Sequence, residues 1–197
     1  MTNLARTVGL ILAGGQSRRM LGQDKTLMAL QGKPLLAHVI GCLHPQVDVL
    51  ALNSNADPAS LAAFNLPLIP DRLPGFPGPL AGIHAGLVQY PDDCLVTVAV
   101  DLPFLPPDLV TRLRAGLGAK SCAYASDGER HALALLWRPG MAASVADYLQ
   151  RGGRNLKDYL AAHGQAVPFD RPQDRGLFLN VNTPEDLARA EQFVDQQ

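Results

Sequence analysis

The chain has 197 residues, 47% hydrophobic and 18% charged, with 17 Lys and Arg against 18 Asp and Glu for a net charge of -1. This composition excludes a disordered segment or a membrane-embedded protein, and the charge balance excludes the broad basic footprint of a nucleic-acid or anionic-membrane binder. Cys42, Cys94 and Cys122 are widely spaced, odd in number and without a C-x-x-C pair, so they read as core residues in a reducing compartment. With no apolar signal core and no run near the roughly 20 apolar residues needed to span a bilayer, the cytoplasm is the expected location.

The first apolar run, residues 8–12, predicts a buried strand. It is followed by Ala13-Gly14-Gly15-Gln16-Ser17-Arg18-Arg19-Met20-Leu21-Gly22-Gln23-Asp24-Lys25. Glycines let backbone N–H groups approach an anion closely, and Arg and Lys bring the charge that a polyphosphate must meet. Neither standard phosphate loop fits: Gln23-Asp24 separates Gly22 from Lys25, which breaks G-x-x-x-x-G-K-[ST], and G-x-G-x-x-G is absent. What remains is a longer, arginine-bearing loop suited to hold a triphosphate while its α-phosphate is attacked.

Residues 34–43 place Leu35, Leu36, Val39, Ile40 and Leu43 on one helical face, with Pro34 in the first turn. A second strand over 47–52 ends at Asn53, Asp57-Pro58 opens a second helix, and 66–69 reads as a third strand. Residues 71–79 are too rich in Pro and Gly for a regular element and read as a shaped loop before the apolar stretch 80–87. The strand predicted over 94–100 delivers Asp101, Pro107 opens another helix, and strands follow over 123–125 and 133–137. Arg151-Gly152-Gly153-Arg154 lies between two helical patterns, and Thr183 and Asp186 stand in a capping-box relation at the start of the last helix. Short apolar runs alternating with helical stretches predict an α/β fold with a mostly parallel sheet, in one domain spanning 1–197.

In open α/β sheets ligands bind beyond the carboxyl ends of the strands. Leu12 to Gly15 with Lys25, Asn53 and Asp101 all follow predicted strands, so their convergence would put backbone donors, an amide and a carboxylate around one pocket. Burying Asp101 alone is costly, and Mg²⁺ offsets that cost while taking its other ligands from water and phosphate oxygens. The histidines and cysteines have no zinc spacing, and the G-x-S-x-G elbow of a Ser hydrolase is missing. His131 reads as a strand-edge histidine with a local hydrogen bond.

These residues together resemble the molybdenum cofactor guanylyltransferases, nucleotidyltransferases with a Rossmann-like three-layer α/β/α fold. The resemblance rests on Leu12-Ala13-Gly14-Gly15 with Arg18-Arg19-Met20 and Asp24-Lys25, on Gly32-Lys33-Pro34-Leu35, and on Gly78-Pro79-Leu80-Ala81-Gly82. It continues through Asp101-Leu102-Pro103-Phe104 to Asn180-Val181-Asn182-Thr183-Pro184-Glu185-Asp186-Leu187. It implies GTP bound by Leu12, Ala13, Gly14, Gly15, Lys25, Asn53, Asp71 and Asp101, with Mg²⁺ on Asp101. Arg19 and Lys25 would neutralise the triphosphate, and Asn53 and Asp71 would read base or ribose. The pterin partner would be held by Arg154 (or Arg151), Asn180 and Asn182. The implied reaction is attack of the molybdopterin phosphate on the GTP α-phosphate with release of pyrophosphate, by a monomer that hands its product to cofactor carriers or apo-molybdoenzymes. A related transferase using CTP or a sugar phosphate, and a non-catalytic nucleotide-sensing module, are the competing readings; retention of Lys25 and Asp101 speaks against the latter.

Overall fold

The computed structural model describes residues 5–14, 19–20, 23–73, 75, 78–128 and 130–195, with the side chains at 19, 20, 23–25, 130 and 132 outside that description. The first strand, β1 (Thr7–Leu12), is buried along its whole length. Two short antiparallel ribbons follow: β2 (Arg19–Met20) with β3 (Gln23–Asp24), and β4 (Ala29–Leu30) with β5 (Lys33–Pro34). The second ribbon turns through Gln31 and Gly32, both at positive φ (48° and 76°), the geometry of a tight hairpin turn that a glycine makes accessible.

Helix α1 (Leu35–Leu43), strand β6 (Val49–Asn53), the single turn α2 (Pro58–Leu61) and strand β7 (Leu68–Ile69) come next. They are followed by α3 (Pro79–Gln89), β8 (Cys94–Ala99), α4 (Leu109–Gly116), β9 (Cys122–Ser126) and β10 (Arg130–Trp137). The chain closes with α5 (Ala142–Gln150), α6 (Leu156–His163), β11 (Gly164–Pro168) and α7 (Pro184–Val194). The main sheet has the order β11-β9-β10-β8-β1-β6-β7. It is parallel except for β10, which runs antiparallel to both neighbours.

Period-two alternation in these strands builds two apolar faces, as a sheet covered on both sides requires. Ile11, Leu50, Leu52, Val96 and Val98 pack with Leu36, Val39, Leu61, Leu109 and Leu113 of α1, α2 and α4. Val8, Leu10, Ala51 and Leu95 pack with Leu80, Ile83, Val145, Leu149 and Leu160 of α3, α5 and α6. The result is the three-layer α/β/α arrangement. A third cluster, Met28, Leu30, Leu35, Val181 and Ala190, seats α7 against the β4–β5 ribbon. Among the described residues no helix is long and apolar enough to cross a membrane.

Several expected boundaries move for local reasons. The helix expected from Pro107 begins at Leu109, and the strand expected from residue 47 begins at Val49. The last strand expected over 133–137 starts at Arg130, and β11 was not expected at all. Of the β11 residues only Val167 is buried, so this edge strand lacks the apolar alternation that would mark it. The expected capping box is present: Thr183 Oγ1 accepts from the Asp186 N–H at 3.1 Å, and Asp186 Oδ2 accepts from the Thr183 N–H at 3.0 Å.

Candidate active site

The carboxyl ends of β1, β6, β7 and β8 lie side by side, and the chain leaving them is stitched together by backbone hydrogen bonds. The Ala13 N–H donates to the Asn53 carbonyl at 2.9 Å, and the Val100 N–H to the Leu12 carbonyl at 3.1 Å. Leu12, Ala13, Gly14, Asn53 and the approach to Asp101 therefore meet at one rim, as the strand-end argument requires. Gly15 lies outside the described residues, as do the side chains of Arg19 and Lys25.

Asn53 is buried at 3% exposure, and its amide is fixed by two donations, to the Ile69 carbonyl (2.9 Å) and to Asp71 Oδ1 (3.0 Å). Asp71 is gripped from its other side by Asn55, whose Nδ2 donates to Oδ2 at 2.7 Å and whose Oδ1 accepts from the Asp71 N–H at 2.9 Å. Two amides thus hold one carboxylate at the mouth of the rim. Asn55 is a component the sequence reading missed; its signal was the spacing of two from Asn53, which brings both side chains to the same side of an extended strand end. A Cβ on Gly82, in the second turn of α3, would collide with the Asn53 side chain. Glycine there is what lets the amide occupy its place.

Asp101 is half-buried just beyond β8, with its Oδ1 atom fully buried. Its carbonyl accepts the Val181 N–H at 2.9 Å, and the Phe104 carbonyl accepts the Phe178 N–H at 2.9 Å, so the strand-like segment 178–182 runs alongside 101–104. Within that segment Val181 is completely buried while Asn180 and Asn182 are exposed. A cleft of about 700 Å³ opens here, lined among others by Asp101, Asp127, His131, Lys157, Asn180 and Asn182. Three of the residues expected from sequence are thus brought together. Asp127, His131 and Lys157 were not assigned to it.

Arg154 goes elsewhere: its Nη1 donates to the Leu149 and Gly153 carbonyls (both 2.7 Å), satisfying the C-terminal end of α5, and it does not line this cleft. Arg151 pairs with Asp147 on its own helix. Asp186, also on the cleft wall, is held below the usual carboxylate range, first by the Asn182 N–H and then by Thr183 and Arg189, which together outweigh its desolvation. His131 does carry the local hydrogen bond expected of it, Nε2 to Asp127 Oδ1 at 2.7 Å.

No group of three or more His, Cys, Asp or Glu able to hold a metal occurs among the described residues. Asp101 could offer a hard divalent cation a carboxylate oxygen here, and such a cation would complete its shell with substrate and solvent oxygens.

Residues 9–167 match the model of the MobA-like NTP transferase domain. The chain is 45% identical over 195 residues to a molybdenum cofactor guanylyltransferase of Cereibacter sphaeroides, covering 96% of this chain and 97% of that one. It is 43% identical over 186 residues to its Yersinia pestis (strain Pestoides F) counterpart, covering 93% and 94%. Among solved structures it is similar to molybdopterin-guanine dinucleotide biosynthesis protein A from Archaeoglobus fulgidus, with a TM-score of 0.76, 25% identity and coverage of 96% and 100%. With this fold, this rim and these relatives, the chain is a nucleotidyltransferase that belongs to the MobA-like NTP transferase family, in the company of the molybdenum cofactor guanylyltransferases.

Proposed function

We propose that the protein, acting as one domain over residues 1–197, transfers GMP from GTP to the terminal phosphate of molybdenum-bearing molybdopterin, releasing pyrophosphate. The observation that carries this reading is the position of Asp101. Its backbone neighbourhood is tied on one side to the turn after β1, through the Val100 N–H on Leu12, and on the other to segment 178–182, through Val181. One carboxylate thus stands where a nucleotide seated on the β1 turn and an acceptor seated against Asn180 and Asn182 would meet.

The acceptor is already an anionic phosphate, so no general base is needed, and the work of the protein is alignment and charge compensation. The backbone of the turn Leu12-Ala13-Gly14-Gly15 would meet the phosphates, and Arg19 and Lys25 would compensate the β- and γ-phosphate charge. Asp71, immobilised by Asn53 and Asn55, is suited to accept hydrogen bonds from the N1–H and 2-amino groups of guanine, whereas adenine would set its N1 lone pair against the same carboxylate. Asn180 and Asn182 offer both donors and acceptors to the pterin. Asp101 would hold Mg²⁺, which would supply positive charge to the phosphates when bound.

Thermal denaturation in Mg²⁺ with GTP, CTP or ATP tests the nucleotide assignment. We expect selective stabilisation by GTP, of about 2.7 kcal/mol at a hundredfold excess over Kd. A preference for CTP would replace the reading with that of a cytidylyl transferase.

A further inference from the structure

We propose that His131 is an acceptor-reading residue: an imidazole, oriented by Asp127 and by the ring of Phe178, whose Nδ1 accepts from an N–H donor of the pterin. The inference rests on the transfer reading given above and names how its second substrate is recognised.

Four independent features place the imidazole. First, β10 runs antiparallel to β8, so its beginning lies at the carboxyl end of β8, beside Asp101. Second, the β9–β10 register breaks at this spot: His131 faces Ala125, but Leu135 faces Tyr124. Residues 132–134 therefore bulge out of the ladder, an irregularity that re-aims neighbouring side chains and recurs beside active sites. Third, the His131 ring stacks on Phe178 with centroids 4.5 Å apart and planes 15° from parallel. Phe178 itself is buried and sits at φ 63°, in the left-handed region, where a bulky residue is held only by strong surroundings. Fourth, the surroundings are visible: Phe178 meets Phe169 edge-on at 5.4 Å, and Phe169 lies 3.7 Å beneath the Arg112 guanidinium.

The chemistry follows from Asp127. An ionised carboxylate only accepts, so the 2.7 Å contact fixes the proton on His131 Nε2. In the neutral ring Nδ1 is then an acceptor, and no hydrogen bond to it occurs among the described residues. Both His131 and Asp127 line the cleft that Asn180 and Asn182 share. A reduced pterin has ring N–H and amino groups that match such an acceptor, whereas a phosphate oxygen does not.

The test compares His131→Ala, His131→Asn and the wild type. Asparagine keeps an acceptor near the Nδ1 position but cannot carry a charge. With GTP saturating, His131→Ala should raise the KM for molybdenum-molybdopterin about five- to tenfold while the GTP KM stays within about twofold, and His131→Asn should recover most of that loss. Equal impairment of Ala and Asn, an unchanged acceptor KM, or a parallel rise in the GTP KM would overturn the assignment. Titration of the same proteins with molybdopterin alone, followed by pterin fluorescence, separates the two readings. If the wild type forms no dinucleotide the transfer reading fails, and the titration still decides whether His131 contributes to pterin affinity.

Discussion

The two halves of the rim are built by different means. On the side we propose for the nucleotide, β1, β6 and β7 are parallel neighbours, and the polar groups they deliver are locked by short-range hydrogen bonds: Asn53 to Ile69 and Asp71, Asn55 to Asp71, Ala13 to Asn53. On the side we propose for the acceptor, the antiparallel β10, a bulge and a left-handed Phe178 raise an aromatic platform over which exposed polar side chains are spread. A small set of fixed donors and acceptors suits a nucleotide whose base must be discriminated. A stacked platform suits a flat, bulky ring system that must also be released as product.

Asp101 belongs to both halves, so its substitution should have the largest effect and blur the distinction. Asp101→Ala is expected to lower kcat by at least about a hundredfold, the scale on which charge stabilisation at a transferring phosphoryl group acts, with a much smaller change in GTP affinity measured by calorimetry. Turnover close to normal in this variant would detach the carboxylate from the reaction. Gly82→Ala should sharpen the comparison instead. The added methyl group must push the Asn53 side chain out of its slot, disturbing Asp71 in turn. Overpacking of this kind costs about 1–3 kcal/mol, so we expect a lower melting temperature and a GTP KM raised roughly tenfold, with the acceptor KM little changed. A parallel rise in both constants would show that the halves are coupled through α3.

The difference also explains what the sequence could reveal. Strand ends after buried runs are legible, so the turn at Leu12 to Gly14, Asn53 and Asp101 could be placed at one rim from apolar periodicity and the strand-end rule. Asn180 and Asn182 were legible as part of a longer resemblance, and the structure adds the reason for their exposure: they flank the buried Val181 in an extended segment. Arg154 looked like Arg151, a cation in a glycine-rich turn, and only the fold reveals that its Nη1 donates to the Leu149 carbonyl near the end of α5 and to that of Gly153 just beyond it. The acceptor platform was the least legible part. It depends on a register break, on a backbone conformation at Phe178 that propensity argues against, and on stacking between residues 47 positions apart, none of which has a local pattern.

The smallest expected effect reaches the acceptor side from below. Asp174 lies under the platform rather than in the cleft: Arg112 Nη1 donates to its two carboxylate oxygens at 2.9 and 3.0 Å, and the Arg171 N–H donates to Oδ2 at 3.1 Å. Burial pushes this carboxyl up, but the Arg112 hydrogen bond, the Arg171 N–H and the two guanidinium charges together pull it below its ordinary value of 3.8. A carboxyl whose folded pKa is depressed stabilises the fold at pH above its unfolded value and loses that contribution as pH falls through the folded one. The urea midpoint should therefore hold between pH 7 and 5 and decline below about 4. Asp174→Asn should lower the midpoint even at pH 7, because it removes the carboxylate hydrogen-bonded to the mostly buried Arg112 and leaves that guanidinium only the longer 3.6 Å pairing with Asp108, a loss of up to about 3 kcal/mol, and should flatten the acid limb. If the platform transmits that change through Phe169 and Phe178 to His131, the acceptor KM of Asp174→Asn rises about threefold at constant GTP KM. An acceptor KM equal to that of the wild type, with the stability loss intact, would confine the Arg112–Asp174 pair to holding the fold.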